Sequence, residues 1–388
     1  MSAEAILSRI NVMKPWLGEE EARALADVVA SGWVAQGPKV KEFEEKFAAA
    51  QDVRHAVAAS SCTTALHLAL AVAGIGPGDD VVVPSLSFIA TANAVTYMGA
   101  RPVFCDVDPA TGNVTAETIH AALTLDTRAV IVVDQGGVPL DLDPIRTLCD
   151  RNEITVIEDA ACAVGSTYRG RPVGAGADVA VWSFHPRKIL TTGEGGMLTT
   201  NRADWAARAR TLREHSMSVS AADRHGSTLA PPEFYLEVGF NYRMTDLQAA
   251  VGIVQLGRLP EVLERRREIA ARYAAGLSGV RGLRLVSDPP YGTTNFQSFW
   301  IEVLPEFGTT REGLMEQLAV AGISARRGIM AAHRQPAYRR RNTGNANLQQ
   351  TERLNDRTLI LPVYHELDEE GLGRVISTIR AAAGGADT

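Results

Sequence analysis

The stretch VIEDAACAVGSTYRGRPVGAGADVAVWSFHPRKILTTGEGGMLTT (156–200) decides the fold class of this 388-residue chain. It overlaps three strand-like runs, which lie at 154–160, 178–184 and 195–200. Asp159 lies at the carboxyl end of the first run, and Lys188 follows the second within a segment rich in Ser, Thr and Gly. Because open α/β sheets bind ligands outside the carboxyl ends of their strands, both side chains are candidates for a ligand site.

Further strand-like runs precede this stretch, at 55–60, 81–85, 101–107 and 126–135. Helical patterns separate them, as in the segment that places Leu66 and Leu70 on one face and ends at Gly74. Strands that alternate with helices of about ten to fifteen residues indicate parallel pairing. We therefore predict an α/β fold with a mostly parallel, doubly wound sheet of seven strands.

The pattern changes in the second half of the chain. Helical segments at Thr245–Leu259 and Pro260–Ala275, followed by a strand at 298–304, predict a smaller α+β unit. Two more helices are predicted at 310–321 and 368–382.

We predict a division of the chain into two domains. The large domain spans 1–255, with an N-terminal arm over about 1–30, and the small domain spans 256–388. Two long polar loops, 216–238 and 325–350, lack periodicity, and loops of this kind are usually functional. We expect these loops to determine substrate specificity.

The composition excludes several classes of protein. The 39 Lys and Arg against 45 Asp and Glu give a formal net charge of −6, so there is no basic excess to bind nucleic acid. No apolar run approaches the ~18 residues of a membrane span, and the N-terminus lacks the apolar core of a signal peptide. The four cysteines have neither the density of a disulfide scaffold nor metal-ligand spacing. We predict a cytoplasmic globular enzyme without a metal site.

Lys188 and Asp159 are the residues with the clearest chemical potential. A partly buried lysine has a lowered pKa and can act as a nucleophile or form a Schiff base. A carboxylate at a strand end can pair with a protonated pyridine nitrogen. Together the two would hold an electron-sink cofactor at two points; the alternative is a structural salt bridge beside a tight turn.

Nine segments in order along the chain resemble the DegT/DnrJ/EryC1/StrS family of pyridoxal-phosphate (PLP) sugar aminotransferases. They are KPWLGEEE (14–21), SGWVAQGPKVKEFEEKFA (31–48), SSCTTALHLAL (60–70), VVVPSLSFIATANAV (81–95), RPVFCDVDP (101–109), IEDAACAVGSTYRGRPVG (157–174), SFHPRKILTTGEGGM (183–197), GFNYRMTDLQAAVGIVQL (239–256) and LPVYHELDEE (361–370). The resemblance implies a fold-type I transferase with PLP as cofactor and the pyridoxamine form (PMP) as its intermediate state.

The resemblance also implies roles for the residues nearest the cofactor ring. Lys188 would bind the aldehyde of PLP and then move a proton as general acid and base. Asp159 would keep the pyridine nitrogen protonated. Phe88 would stack on the ring face; the alternative is an ordinary core aromatic.

The phosphate group of the cofactor would be held by hydroxyl and backbone N–H groups. The family pattern places Cys62 and Thr63 at the start of a helix, where such donors lie, and Ser183 shortly before Lys188. Asn241 in GFNYRM would reach the phosphate from the neighbouring subunit, which implies a homodimer with shared active sites. The alternative is that these hydroxyls only cap turns.

The chain departs from the family pattern at several places. Cys162 stands where His or Gln usually binds the 3-oxygen of the ring, and a thiol would do so poorly. Asp134 in DQGGVP stands where histidine is common. His185, His333 and Arg327, the second of a pair of arginines, are candidate substrate contacts; solvated or structural roles are the alternatives.

The function implied is transfer of an amino group from glutamate or glutamine to a keto group of a nucleotide-linked sugar. Such a reaction serves amino-sugar biosynthesis, for an antibiotic or another secondary metabolite or for a surface glycan. Alternatives within the family are a non-sugar acceptor, such as a cyclitol or antibiotic precursor, and a lyase or oxidative reaction. A regulatory or ligand-sensing protein is the alternative from another class.

Overall fold

The computed structural model describes residues 9–219, 232–341, 343–344 and 347–384. Its strands are β1 (His55–Ala59), β2 (Asp80–Pro84), β3 (Arg101–Cys105), β4 (Thr127–Val133), β5 (Thr155–Asp159), β6 (Thr167–Tyr168), β7 (Arg171–Pro172), β8 (Val179–Ser183), β9 (Gly196–Thr200), β10 (Leu283–Leu285), β11 (Gly292–Thr293), β12 (Phe299–Val303), β13 (Arg326–Arg327) and β14 (Thr358–Leu361).

The α-helices of the described residues are α1 (Glu19–Ser31), α2 (Pro38–Ala50), α3 (Cys62–Val72), α4 (Ala90–Tyr97), α5 (Ala116–His120), α6 (Leu142–Arg151), α7 (Ala203–Leu212), α8 (Asp246–Gly276), α9 (Arg311–Val320), α10 (Gln349–Arg357) and α11 (Glu369–Gly384). Among these described helices, none combines the length and the apolar character needed to cross a membrane.

The central sheet has seven strands in the order β1-β9-β8-β5-β4-β2-β3. Strand β9 is antiparallel to both of its neighbours, and the other neighbouring pairs are parallel. The predicted mostly parallel seven-stranded sheet is therefore confirmed. Its strands read as continuous apolar runs because helices cover both faces. Along β4, for example, Ile131 packs into the cluster that includes α3, and Val130 packs into the cluster that includes α6.

The topology brings the predicted site residues to one edge of this sheet. Because β1, β2, β4, β5 and β8 run in the same direction, their carboxyl ends meet there. The residues at or just after these ends include Cys62, Phe88, Asp134, Asp159 and Ser183. This edge is the place where open α/β sheets bind their ligands.

A second sheet lies in the C-terminal half, in the antiparallel order β10-β12-β14-β13. Phe299 of β12 is buried with Leu314 of α9 and Val375 of α11, so these helices cover the sheet. The strand predicted at 298–304 is β12, and the two predicted C-terminal helices are α9 and α11.

Helix α8 corrects one expectation. The segments predicted as two helices form one helix of 31 residues, Asp246–Gly276, with Pro260 inside it. An interior proline costs roughly 3 kcal/mol, but α8 is held on both sides of it: Leu259 is buried in the cluster with Phe43, and Tyr273 in the cluster of the second sheet. Residue 255, the predicted domain boundary, lies inside α8. The division into two domains stays a prediction.

Candidate active site

Lys188 lies in the loop between β8 and β9. Its backbone N–H donates to the His185 carbonyl at 2.8 Å, which closes a tight turn. Its side-chain Nζ donates to Cys162 Sγ at 3.0 Å. The amine and the Cys162 sulfur are therefore in contact, and both residues line the same cavity.

The protonation of Lys188 differs from the expectation. Burial by itself lowers the pKa of Lys188, but the neighbouring cysteine sulfurs and the Asp159 carboxylate raise it by more, so the net direction is upward. The expected lowered pKa is therefore wrong for the chain as described. The raised pKa favours the ammonium form of Lys188, and the side chain has to lose a proton before it can act as a nucleophile.

Asp159 ends β5 with its side chain 5% exposed. Its Oδ1 accepts from the Ala161 N–H at 3.2 Å and its Oδ2 from the Thr91 hydroxyl at 3.3 Å. Burial raises the pKa of Asp159. In the described part of the chain no Lys, Arg or His nitrogen lies within 4.0 Å of this carboxylate. The alternative of a direct salt bridge with Lys188 is therefore wrong, although the charge of Lys188 acts on Asp159 from a longer distance. A buried carboxylate without a cation is costly, and a protonated ring nitrogen would relieve that cost.

The turn between β1 and α3 offers free backbone donors. Ser61 caps α3 by accepting from the Thr64 N–H, which leaves the N–H groups of Cys62 and Thr63 without a helical acceptor. A helix N-terminus of this kind binds anions. The thiol of Cys62 is turned toward Asp159 instead, with Sγ 4.0 Å from Oδ1, and burial raises its pKa well above the usual value.

Gly196 makes room for this turn. It pairs with Ser183 on one side and with Ala59 on the other, so it lies between the ends of β8 and β1. A Cβ atom at this position would overlap the Ser61 carbonyl and the Cys62 amide nitrogen. Ser183 ends β8 opposite Gly196, and its hydroxyl accepts from the His185 N–H at 3.5 Å.

Phe88 lies in the turn that leads into α4. Its side chain is 65% exposed, so the alternative of an ordinary core aromatic is wrong. Its carbonyl accepts from the Thr91 N–H at 3.2 Å, and the Thr91 hydroxyl binds Asp159. The turn therefore links an exposed aromatic ring to the carboxylate of the site.

Asn241 is exposed and lies next to the β1–α3 turn. Its neighbour Tyr242 accepts from the Ser60 N–H at 2.8 Å through its carbonyl. Asn241 itself forms a backbone bridge with Glu214. Its side chain is thus on the surface beside the donor-rich turn. The role in a neighbouring subunit stays a prediction.

The predicted substrate contacts separate into two groups. His185 lines the cavity that contains Lys188, and so does Arg326. Arg327 does not, because consecutive strand residues point to opposite faces; its guanidinium is 3.8 Å from Glu312. His333 is held elsewhere, by the Ser85 hydroxyl at 2.7 Å and the Glu352 carboxylate at 3.2 Å. The structure therefore brings His185, and neither Arg327 nor His333, to Lys188.

Asp134 also lies away from Lys188. It is fully buried, and its Oδ1 accepts from the Leu140 N–H at 3.0 Å. It interacts with Glu158, which neighbours Asp159 along β5 and therefore points to the opposite face of the sheet. The residue that replaces the common histidine is thus part of a buried carboxyl pair behind the site.

Two residues that the sequence pattern did not indicate hold the site together. Gln297 donates to the Arg187 carbonyl at 2.7 Å and accepts from the Ile189 N–H at 3.0 Å, so its amide brackets Lys188. Asn295 donates to the carbonyl of Cys162 at 2.8 Å. Both are more than a hundred residues from their partners in the chain, and only their position just before β12 could have drawn attention to them.

These features define the class of protein. A half-buried lysine, a buried carboxylate without a cation and an anion-binding helix end lie together at the ligand-binding edge of a doubly wound sheet. They fit the aldehyde, the ring nitrogen and the phosphate of PLP in that order. In the described residues no group of three or more His, Cys, Asp or Glu side chains could hold a metal ion. The fold and the site are those of a PLP-dependent aminotransferase.

Comparisons with known proteins give the family. The DegT/DnrJ/EryC1/StrS aminotransferase family matches residues 15–380. The aminotransferase TlmJ from Streptoalloteichus hindustanus is 39% identical, with 98% of this chain and 100% of that chain covered and a TM-score of 0.89. The chain belongs to the DegT/DnrJ/EryC1/StrS aminotransferase family.

Two further solved structures are similar. Spr1654 from Streptococcus pneumoniae in its PLP form is 27% identical over 97% of this chain and 98% of that chain, with a TM-score of 0.89. DesI, solved in the presence of its TDP-sugar product, is 33% identical over 99% of this chain and 95% of that chain, with a TM-score of 0.87. These structures agree with PLP as the cofactor of this chain.

Proposed function

We propose that the protein transfers an amino group from glutamate or glutamine to a keto group of a nucleotide-linked sugar. The observation that carries the proposal is that Lys188 and Asp159 lie close enough for their charges to interact but form no direct salt bridge in the described chain. Each is therefore free to engage a different atom of one cofactor. The sugar acceptor is supported by the similarity to DesI, which was solved with its TDP-sugar product.

The side chains of the site divide the work. PLP, when bound, supplies a ring that can take up the electrons of the bond broken at the substrate carbon. Asp159 keeps a proton on the ring nitrogen, and Thr91 orients the carboxylate through its hydroxyl. Lys188 Nζ moves the substrate proton, because a tethered amine stays within hydrogen-bond reach. Cys62 and Thr63 hold the phosphate through their backbone N–H groups.

Cys162 replaces the residue that the family uses toward the ring oxygen. Its sulfur is a weak acceptor and donor, and in the chain alone it accepts from Lys188. We expect it to orient the lysine rather than to bind the ring strongly. Phe88, exposed at the same edge of the sheet, would cover one face of the ring.

We further propose a homodimer in which Asn241 of the partner subunit completes the phosphate site. A mixture of the Lys188→Ala and Asn241→Ala variants tests this, since each variant alone is expected to be inactive. In a hybrid dimer one of the two sites has an intact lysine and an intact asparagine, so random mixing should restore about a quarter of the sites. No recovery, with subunit exchange verified by mass, would contradict the shared site.

The function itself is tested through the cofactor spectrum. The PLP-loaded protein is titrated with a TDP-linked amino sugar, the same amino sugar without its nucleotide, and an aminocyclitol. We expect only the nucleotide-linked amine to convert the cofactor absorbance to that of PMP, and expect Lys188→Ala to block the conversion. Conversion by the aminocyclitol and not by the nucleotide sugar would overturn the proposed acceptor.

A further inference from the structure

The cavity that contains Lys188 has a strongly asymmetric charge. Its volume is about 370 Å³, and its charged or ionisable lining residues are Cys162, His185, Arg187, Lys188 and Arg326, without an Asp or Glu among them. The whole chain has more acidic than basic residues, 45 against 39. A wall of this kind in an acidic protein indicates an anionic ligand.

Arg187 and Arg326 are the outer cations of this wall. In the described part of the chain neither guanidinium has a carboxylate within 4.0 Å. Arg327, the next residue of the same strand, does have one, Glu312 at 3.8 Å. Burial, followed by the positive charge of Arg187, lowers the pKa of Arg326. The two arginines thus repel each other, and an anion placed between them would remove the repulsion.

A second cavity continues from the first. Its volume is about 680 Å³, and it shares Val12, Met13 and Arg326 with the cavity that contains Lys188. Arg9 lies on its wall, and none of the described residues that line it is acidic. The shared wall is firmly placed, because the Ser324 N–H donates to the Ile10 carbonyl at 2.8 Å. Arg326 therefore lies at the junction of two cavities.

We infer that Arg187 and Arg326 form an oxyanion subsite that binds a phosphate or carboxylate group of a substrate while its reacting carbon is at Lys188. Planar guanidinium groups suit both kinds of oxyanion, because they donate two parallel hydrogen bonds. The oxyanion is either the diphosphate of the sugar acceptor, with the nucleoside in the second cavity, or the distal carboxylate of the amino donor. The naming of these two sources rests on the proposed function.

Binding to the PLP-loaded protein tests the subsite without relying on turnover. The probes are inorganic pyrophosphate, TDP and 2-oxoglutarate, measured by isothermal calorimetry. We expect Arg187→Gln and Arg326→Gln each to lower the affinity for at least one probe by about tenfold or more, as expected for the loss of a charge-assisted hydrogen bond. Arg327→Gln is the matched control and should change binding by less than about twofold.

The outcomes distinguish a subsite for the sugar acceptor from one for the amino donor, and they test the subsite separately from the proposed activity. Weakened pyrophosphate and TDP binding assigns the subsite to the acceptor, and weakened 2-oxoglutarate binding alone assigns it to the donor. Unchanged binding in both variants, equal weakening in the Arg327 control, or no binding of any probe to the unmodified protein would overturn the inference. Because these are binding measurements, a failure of the proposed sugar-amination activity would leave them interpretable.

Discussion

The buried carboxyl pair behind the site should make the stability of the protein depend on pH. Asp134 and Glu158 lie on the face of the sheet opposite to Asp159. Each has one carboxyl oxygen, Asp134 Oδ2 and Glu158 Oε2, without a hydrogen-bond partner in the described chain. Burial raises the pKa of Glu158 to about 7. Burial, together with the charge of Glu158, raises the pKa of Asp134 well above its usual value.

The direction of the pH dependence follows from proton binding. An ordinary glutamate has a pKa of 4.5, and the folded value is about 7. Between these two values the folded chain holds a proton that the unfolded chain has released, so stability falls as the pH rises. The stabilising contribution of the protonated form is complete below pH 4.5 and is lost as the pH rises through 7.

The size of the effect can be worked out from the same two values. Their difference corresponds to about 3 kcal/mol in all, of which about 2 kcal/mol falls between about pH 5.5 and pH 8. An unfolding entropy of about 2.1 cal/mol/K per residue gives about 0.8 kcal/mol/K for a chain of 388 residues. The expected change in melting temperature is therefore about 2–3 °C.

Glu158→Gln removes this titration, and it also removes the charge of Glu158 from the causes of the raised pKa of Asp134. The amide has nearly the same shape, cannot ionise, still accepts from the Gly174 N–H, and can donate to Asp134. We expect the difference in melting temperature, variant minus wild type, to increase by about 2–3 °C between about pH 5.5 and pH 8. Glu316→Gln, at an exposed position of α9, should show no such trend. A difference between Glu158→Gln and wild type that stays constant over this range would refute the reasoning.

Three other substitutions test the site and the fold. Gln297→Leu removes both hydrogen bonds that bracket Lys188, and its kcat should be about tenfold or more below that of the wild type. Gln297→Glu keeps the acceptor oxygen, so its kcat should decrease less. An equal decrease of kcat in the two variants would contradict this role of Gln297. Gly196→Ala should weaken PLP binding in a cofactor titration, whereas Gly257→Ala, at a position with open space around it, should not. An unchanged PLP affinity of Gly196→Ala would contradict the importance of the close approach between Gly196 and the β1–α3 turn. Pro260→Ala should raise the melting temperature, since it restores an N–H donor to a continuous helix; a lower melting temperature would contradict that.

The sheet and the ends of its strands were predictable because buried parallel strands are continuous apolar runs. The predicted run 154–160 is the strand Thr155–Asp159, and 178–184 is Val179–Ser183. The residues that follow such runs necessarily converge at one edge, and that is why Lys188 could be proposed from position alone.

Other features depend on contacts that leave no local pattern. The continuity of α8 through Pro260 is decided by burial on both sides, and propensity alone predicts a break. The bracketing of Lys188 by Gln297 joins residues far apart in the chain. The roles of Arg326 and Arg327 could not be distinguished because that choice depends on the register of β13 against β14, which the sequence does not encode locally.

The C-terminal half contributes residues that hold the loops of Lys188 and Cys162 in place and a residue that lines the cavity. The central sheet supplies Asp159 at the end of β5 and positions Lys188 in the loop between β8 and β9. The segment before β12 fixes the loops of Lys188 and Cys162 through Gln297 and Asn295. Arg326 of β13 adds a charge to the same cavity. If Arg326 binds substrate as proposed, substitutions in the C-terminal half should change the substrate while the cofactor site is kept, as expected where one fold serves several functions.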